Sequence, residues 1–210
     1  MLFRDRVDAG RQLAQRLTPY AGRDDVLVLA LPRGGVPVAA EIAAALDAPF
    51  DVFLVRKLGV PGQPELAMGA IAEGGTTVLN DDLIDSLGTS VEMVERVRAR
   101  ELQELERRQR LYRGVRPRPD VHDRTVILVD DGLATGASME AAVGALRAMG
   151  PARVVVAVPV GARESCARMA ALADEVICAQ MPERFAAVGQ WYADFSETSD
   201  EEVSALLSGA

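Results

Sequence analysis

Residues 125–138 read Thr-Val-Ile-Leu-Val-Asp-Asp-Gly-Leu-Ala-Thr-Gly-Ala-Ser, and they hold the plainest chemistry in the chain. Val126, Ile127, Leu128 and Val129 form an unbroken apolar run, as in a strand buried on both faces. Two adjacent carboxylates follow, Asp130 and Asp131. A loop of mostly small residues comes next, with Gly132, Leu133, Ala134, Thr135 and Gly136, before an amphipathic helix. The backbone N–H groups of 132–136 and the start of that helix suit a phosphate. Thr135 suits either a helix N-cap or a hydroxyl donor to that phosphate, and one residue can do both. The carboxylates suit the vicinal hydroxyls of a sugar or a hydrated divalent cation. Together these residues describe a site for a phosphorylated sugar.

Two other segments complement it. Pro32-Arg33-Gly34-Gly35 is a sharp turn after the apolar run 26–31. Arg56-Lys57 follows a second apolar stretch, Asp51 to Val55. In an open α/β sheet, ligands sit at the carboxyl ends of the strands, where all three segments are expected. Lys57 is the only lysine and His122 the only histidine, so a histidine base or a multi-histidine metal set is nearly excluded. Lys57 is either a surface lysine at a strand end or a cation of the site.

The elements that must position these groups alternate. Helix is expected over 4–17, strand over 26–31, helix over 36–47, strand over 51–55, and a mobile loop over 59–69, which holds three glycines and two prolines. Residues 70–72 and 76–79 read as a hairpin around Gly74-Gly75 at the sheet edge, and a short helix capped by Asn80 follows. Residues 90–113 are strongly helical, with Glu92/Arg96, Glu104/Arg108 and Glu106/Arg110 at i,i+4. The narrow stripe Val94, Val97, Leu102 and Leu105 suits packing by one edge or a homodimer contact. Strands at 125–129, 153–158 and 175–178 then alternate with helices. The fold class is α/β: an open, mostly parallel five-stranded sheet with helices on both faces.

The chain has 210 residues, a formal net charge of −8 and 49% apolar residues. Those totals suit one α/β domain and disfavour broad binding of nucleic acid. No run is long enough for a membrane-spanning helix, and the charged start MLFRDRVDAG does not resemble an export signal. Cys166 and Cys178 form no CxxC and read as buried thiols of a reducing, cytoplasmic protein.

VILVDDGLATGAS resembles the signature by which type I phosphoribosyltransferases bind phosphoribosyl pyrophosphate (PRPP): apolar strand, two acids, small residues, Thr-Gly. The Pro32–Gly35 turn resembles that family's pyrophosphate loop, and 59–69 falls where the family has a flexible loop over its site. The resemblance covers about 25–180 and implies a core with a small hood from 1–24 and 180–210. In the tail, Phe185, Val188-Gly189 and Asp194-Phe195 resemble the order found in the hypoxanthine-guanine branch, with longer spacing. Phe185 or Trp191 then either stacks on an aromatic acceptor or anchors the tail.

What the resemblance implies is transfer of the 5-phosphoribosyl group from Mg²⁺-PRPP to a nitrogenous base, releasing pyrophosphate, with nucleotide salvage as its setting. Asp130 and Asp131 would fix the ribose hydroxyls and hold Mg²⁺ through water. Arg33, the Gly34 and Gly35 backbone and Lys57 would take the pyrophosphate. Glu65 is a solvated loop carboxylate or a base for the acceptor. A PRPP-sensing regulatory or nucleic-acid-binding protein on the same fold is the alternative.

Overall fold

The structure is a computed structural model that describes residues 2–114 and 116–209, with the side chains of Pro64 and Glu65 outside the described set. Helix α1 (Arg6–Ala14) starts where the Asp5 side chain accepts from the Asp8 amide. Strand β1 (Val26–Ala30) is wholly buried and leads into α2 (Gly35–Leu46) and β2 (Phe50–Val52). Strands β3 (Val55–Val60), β4 (Gln63–Ala72) and β5 (Thr77–Leu79) follow, then α3 (Asp81–Ser86) and α4 (Val91–Arg113). The rest is β6 (Thr125–Val129), α5 (Ala137–Arg147), β7 (Arg153–Val160), α6 (Arg163–Met169), β8 (Glu175–Gln180) and α7 (Asp200–Ser208).

Five strands make one parallel sheet in the order β2-β1-β6-β7-β8. The expected sheet is present, and its strands point alternate side chains into two cores. Val26, Val28, Ala30, Ile127 and Val129 face one core with α2 and α7. Leu27, Leu29, Val126 and Leu128 face the other with α5. Runs buried on both faces are therefore apolar throughout, which is why they were legible without alternation.

The stretch 55–79 departs from expectation. β3, β4 and β5 form a separate three-stranded antiparallel sheet. The second parallel strand stops at Val52, and Arg56 and Lys57 lie in β3 of the other sheet. The segment 59–69 is a β3–β4 hairpin turning at Pro61-Gly62, where Gly62 has φ +82°. Its glycines and prolines serve a tight turn and an irregular register between Leu58 and Val60 rather than a long loop. The 70–79 hairpin forms as read, as part of that second sheet. Glu65, named above as a base or a solvated carboxylate, has its side chain outside the described residues.

Helix α4 has Ser90 as its N-cap and buries Val94, Val97 and Leu105 against its own chain. Among the described residues, only Glu104/Arg108 of the three anticipated i,i+4 pairs closes, at 2.8 Å. At its C-terminal end the buried Arg113 pairs with Glu73 and, at 3.1 Å, with Asp51; it also donates to the Val52 carbonyl at 2.9 Å. That cluster ties α4 to both sheets. The N- and C-terminal segments meet as well: Phe3 bridges Tyr192, with its amide donating to the Trp191 carbonyl at 2.9 Å.

Candidate active site at the sheet switch point

β1 and β6 are neighbours, with Ala30 opposite Val129. The chain leaves β1 toward β2 on one side and returns as β6 on the other. The two exit loops therefore flank the crevice where an α/β sheet binds ligands. Leu31 donates to the Val129 carbonyl at 2.8 Å, locking the 31–35 turn beside the acidic pair. A Cβ on Gly34 would overlap Asp131 Oδ2, and one on Gly35 would lie 2.7 Å from the Val129 carbonyl oxygen. The paired glycines thus let this turn touch β6 and the second carboxylate.

Asp130 Oδ1 accepts from the Asp131 amide at 2.8 Å. Burial pushes the Asp130 carboxyl well above the ordinary carboxylate range, and the neighbouring Asp131 charge pushes the same way. Asp131 is also raised by burial, with Arg6 pulling against it. Arg6 Nε donates to Asp131 Oδ2 at 2.9 Å, and its NH1 donates to the Ser196 carbonyl at 2.6 Å. The Tyr192 hydroxyl donates to the Asp131 backbone oxygen at 2.5 Å, and burial raises its pKa, keeping it a neutral donor. Thus α1 and the tail both close on the second acid.

The loop after the acids divides in two. Gly132 lies under Val188, whose Cγ1 would be 2.5 Å from a Cβ there. Leu133 is buried, bridges Gly161, and donates its amide to the Val160 carbonyl at 2.9 Å. Leu133 therefore belongs to the sheet and its amide is not open to a ligand, contrary to the expected cradle of five. The amides of Ala134, Thr135 and Gly136, like that of Gly132, have no acceptor among the described residues. Ser165 donates to the Ala134 carbonyl at 2.5 Å and Arg168 to the Thr135 carbonyl at 2.6 Å, holding the peptides in place. Thr135 Oγ1 accepts from the Ala137 amide at 3.5 Å, a long capping contact. Gly136 takes the left-handed conformation, φ +82°, that starts α5.

The cations sit differently from expectation. Arg33 is turned to the tail, paired with Glu197 and, at 3.8 Å, with Asp200. Tyr112 donates to that Asp200 at 2.5 Å. A cavity of about 170 Å³ is lined by Pro32, Asp130 and Ser138 together with Arg56 and Arg108. It shares Val55, Arg56 and Ser138 with a cavity of about 740 Å³ between the β3–β4 hairpin and α4, where Lys57 lies. Lys57 therefore reaches the same cleft, from the second sheet.

Phe185 and Trp191 pack around Phe3, Val160 and Tyr192. The aromatic beside the acidic pair is instead Phe195, with Arg6 4.0 Å above its ring and Tyr192 5.0 Å away. The Asp194-Phe195 pair carried a signal in the sequence. Arg6 and Tyr192 carried none, since each is an isolated residue brought in by long-range packing.

Among the described residues, no group of three or more His, Cys, Asp and Glu side chains could cage a metal. Mg²⁺ usually takes one or two carboxylates and completes its shell with water and substrate phosphate, and Asp130 fits that role. Asp131 fits it less well, because Arg6 occupies its Oδ2.

The sequence matches the family model described as the phosphoribosyl transferase domain, over residues 3–107 and 70–195. A Mycobacterium tuberculosis protein, provisionally named a phosphoribosyl transferase, is 52% identical over 209 residues; the match takes in all of this chain and 47% of that one. The chain thus spans about half the length of the curated relatives it matches. The crystal structure of TT1426 from Thermus thermophilus superposes with TM-score 0.91 at 49% identity, covering 99% of this chain and 98% of that one.

Proposed function

Since this chain belongs to the phosphoribosyl transferase domain family, we propose that it transfers the 5-phosphoribosyl group of PRPP to a nitrogenous base and releases pyrophosphate. The observation that carries this reading is the contact between the 31–35 turn and Asp130-Asp131 at the switch point, beside loop amides with no acceptor among the described residues. The amides of Ala134, Thr135 and Gly136 at the start of α5 receive the 5-phosphate. Asp130 accepts from the ribose hydroxyls and stabilises positive charge as C1 becomes oxocarbenium-like. Asp131, held by Arg6 and Tyr192, shapes the far wall.

The bond from C1 to the pyrophosphate oxygen breaks with its electron pair leaving on pyrophosphate, and the acceptor nitrogen forms the new bond to C1. Arg33 and the 33–35 backbone face that leaving group once the tail acids release Arg33, and Arg56 and Lys57 line the cleft beyond. Mg²⁺, when bound with PRPP, neutralises pyrophosphate charge. The free cysteines Cys166 and Cys178 support a reducing, cytoplasmic setting, and among the described residues no helix is long and apolar enough to cross a membrane.

The test is incubation with Mg²⁺-PRPP and a panel of nitrogen bases, following pyrophosphate. Base-dependent release that Asp130→Asn abolishes is expected; no release with any base would overturn the reading.

A further inference from the structure

The 740 Å³ cavity is larger than the chemistry at Asp130 needs, and its walls have a charge the rest of the chain does not. Among the described residues four cations line it, Arg56, Lys57, Arg96 and Arg100, against one acid, Glu101. The chain as a whole carries −8. Such local inversion concentrates anions in a cleft.

Glu101 does not cancel the field. It is buried, and it accepts from Arg56 at 2.8 Å and from Arg100 at 2.9 Å. One carboxylate thus fixes two guanidiniums in the wall. Arg96 makes no ion pair among the described residues and stands one helical turn before Arg100 on α4. The remaining lining is mostly apolar, with Val60, Met93 and Val97. Both walls mix the two kinds of surface, Arg96 and Arg100 with Met93 and Val97 on α4 and Arg56 with Val55 and Val60 on β3, a lining that suits a flat ring carrying a negative group. The volume is in the range of small-molecule sites.

The tail does not offer an equivalent seat. Phe185 and Trp191 are spent on Phe3 and Tyr192, and Phe195 is covered by Arg6. The cavity, by contrast, opens onto Asp130 through the shared Val55, Arg56 and Ser138. We propose that the acceptor is anionic, a nitrogen heterocycle bearing a carboxylate or phosphate, and that it binds between the β3–β4 hairpin and α4 with its charge on Arg96 and Arg100. This rests on the transferase reading above.

The experiment compares matched rings with and without the charge, nicotinate against nicotinamide and orotate against uracil, in PRPP-dependent pyrophosphate release. It uses the full chain and the Arg96→Gln/Arg100→Gln variant. Both arginines are exposed on α4, and Arg56 still pairs Glu101 in the variant. Expected is a preference for the charged ring, which the variant loses about tenfold or more while KM for PRPP holds, since hydrogen bonds to a charged group are among the stronger ones. Preference for the neutral rings overturns the proposal. So does a variant whose main defect is a higher KM for PRPP, which would assign the cavity to pyrophosphate.

If no ring turns over, calorimetric titration with orotate separates the two readings. Binding that the variant loses keeps the anionic site and removes the transferase reading. Binding that is absent, or equal for orotate and uracil, removes the site.

Discussion

Arg6 and Asp131 meet across 125 residues of sequence, guanidinium Nε to carboxylate Oδ2 at 2.9 Å. Both side chains are nearly buried, and the guanidinium also lies over Phe195. Burial alone would raise the Asp131 carboxyl further, and Arg6 is the group that opposes it. Arg6→Gln should therefore move the acid limb of kcat/KM to higher pH and raise KM for Mg²⁺-PRPP, with Arg6→Lys recovering part of both. An acid limb that stays in place in Arg6→Gln would show that this pairing does not tune the site.

Asp130 is raised because burial disfavours its charged form. A carboxyl whose folded pKa exceeds its unfolded value stabilises the fold below the unfolded pKa. That contribution is lost as pH rises through the folded pKa. At neutral pH its ionised form is thus a cost to the fold. Asp130→Asn should raise Tm, by about 2–4 °C for each kcal/mol recovered in a chain of this size, while removing PRPP turnover. Thermal melts at pH 5 and pH 8 check the sign: the gain should be larger at pH 8.

Arg33 is held by two acids of the tail, Glu197 and Asp200. A guanidinium engaged in this way is less free to meet pyrophosphate. Glu197→Gln, on an exposed side chain, should lower KM for PRPP and leave the melting temperature within about 2 °C, as surface changes usually shift stability by less than 0.5 kcal/mol. An increase in KM would mean that the tail acid supports binding rather than competing with it.

Gly34→Ala places a methyl group on the Asp131 carboxylate. The turn or the acid must move, so PRPP turnover should fall steeply even where circular dichroism shows an intact fold. Retained activity would show that the turn has room to shift without disturbing the acids.

Glu73 and Arg113 form a buried ion pair, side chains 2% and 0% exposed. Removing one partner leaves an unpaired buried charge, and Arg113→Met should cost about 3–5 kcal/mol. The double variant Arg113→Met/Glu73→Gln should lose less than the single one in urea unfolding. Equal losses would mean that the charge pair is not what holds α4 to the sheets.

The parallel sheet was legible because strands buried on both faces must be apolar at every position, as 26–30 and 125–129 are. The acidic pair and the 31–35 turn were legible because their residue types follow those strands directly. The second sheet was not. Its Gly and Pro residues are the same ones a loop would use, and only the pairing of β3 with β4 tells the two apart. Lys57 was expected at the end of the second parallel strand and lies in β3 for that reason. Leu133 looked like one more loop residue, but Val160 claims its amide. Arg6, Tyr192 and the tail acids were invisible because what makes them part of the site is distance in space, with no local spacing to mark it.

The pairing of Phe3 with Tyr192 has a consequence for synthesis. Strands β1 and β6 can associate once about 130 residues have left the ribosome. The hydroxyl that steadies Asp131 arrives only with residue 192. Until then a nascent chain carries two acids side by side with no tail to cover them. The sheet is thus expected to exist before the site does, and ribosome-stalled chains ending before Tyr192 should fold without becoming competent to hold ligand.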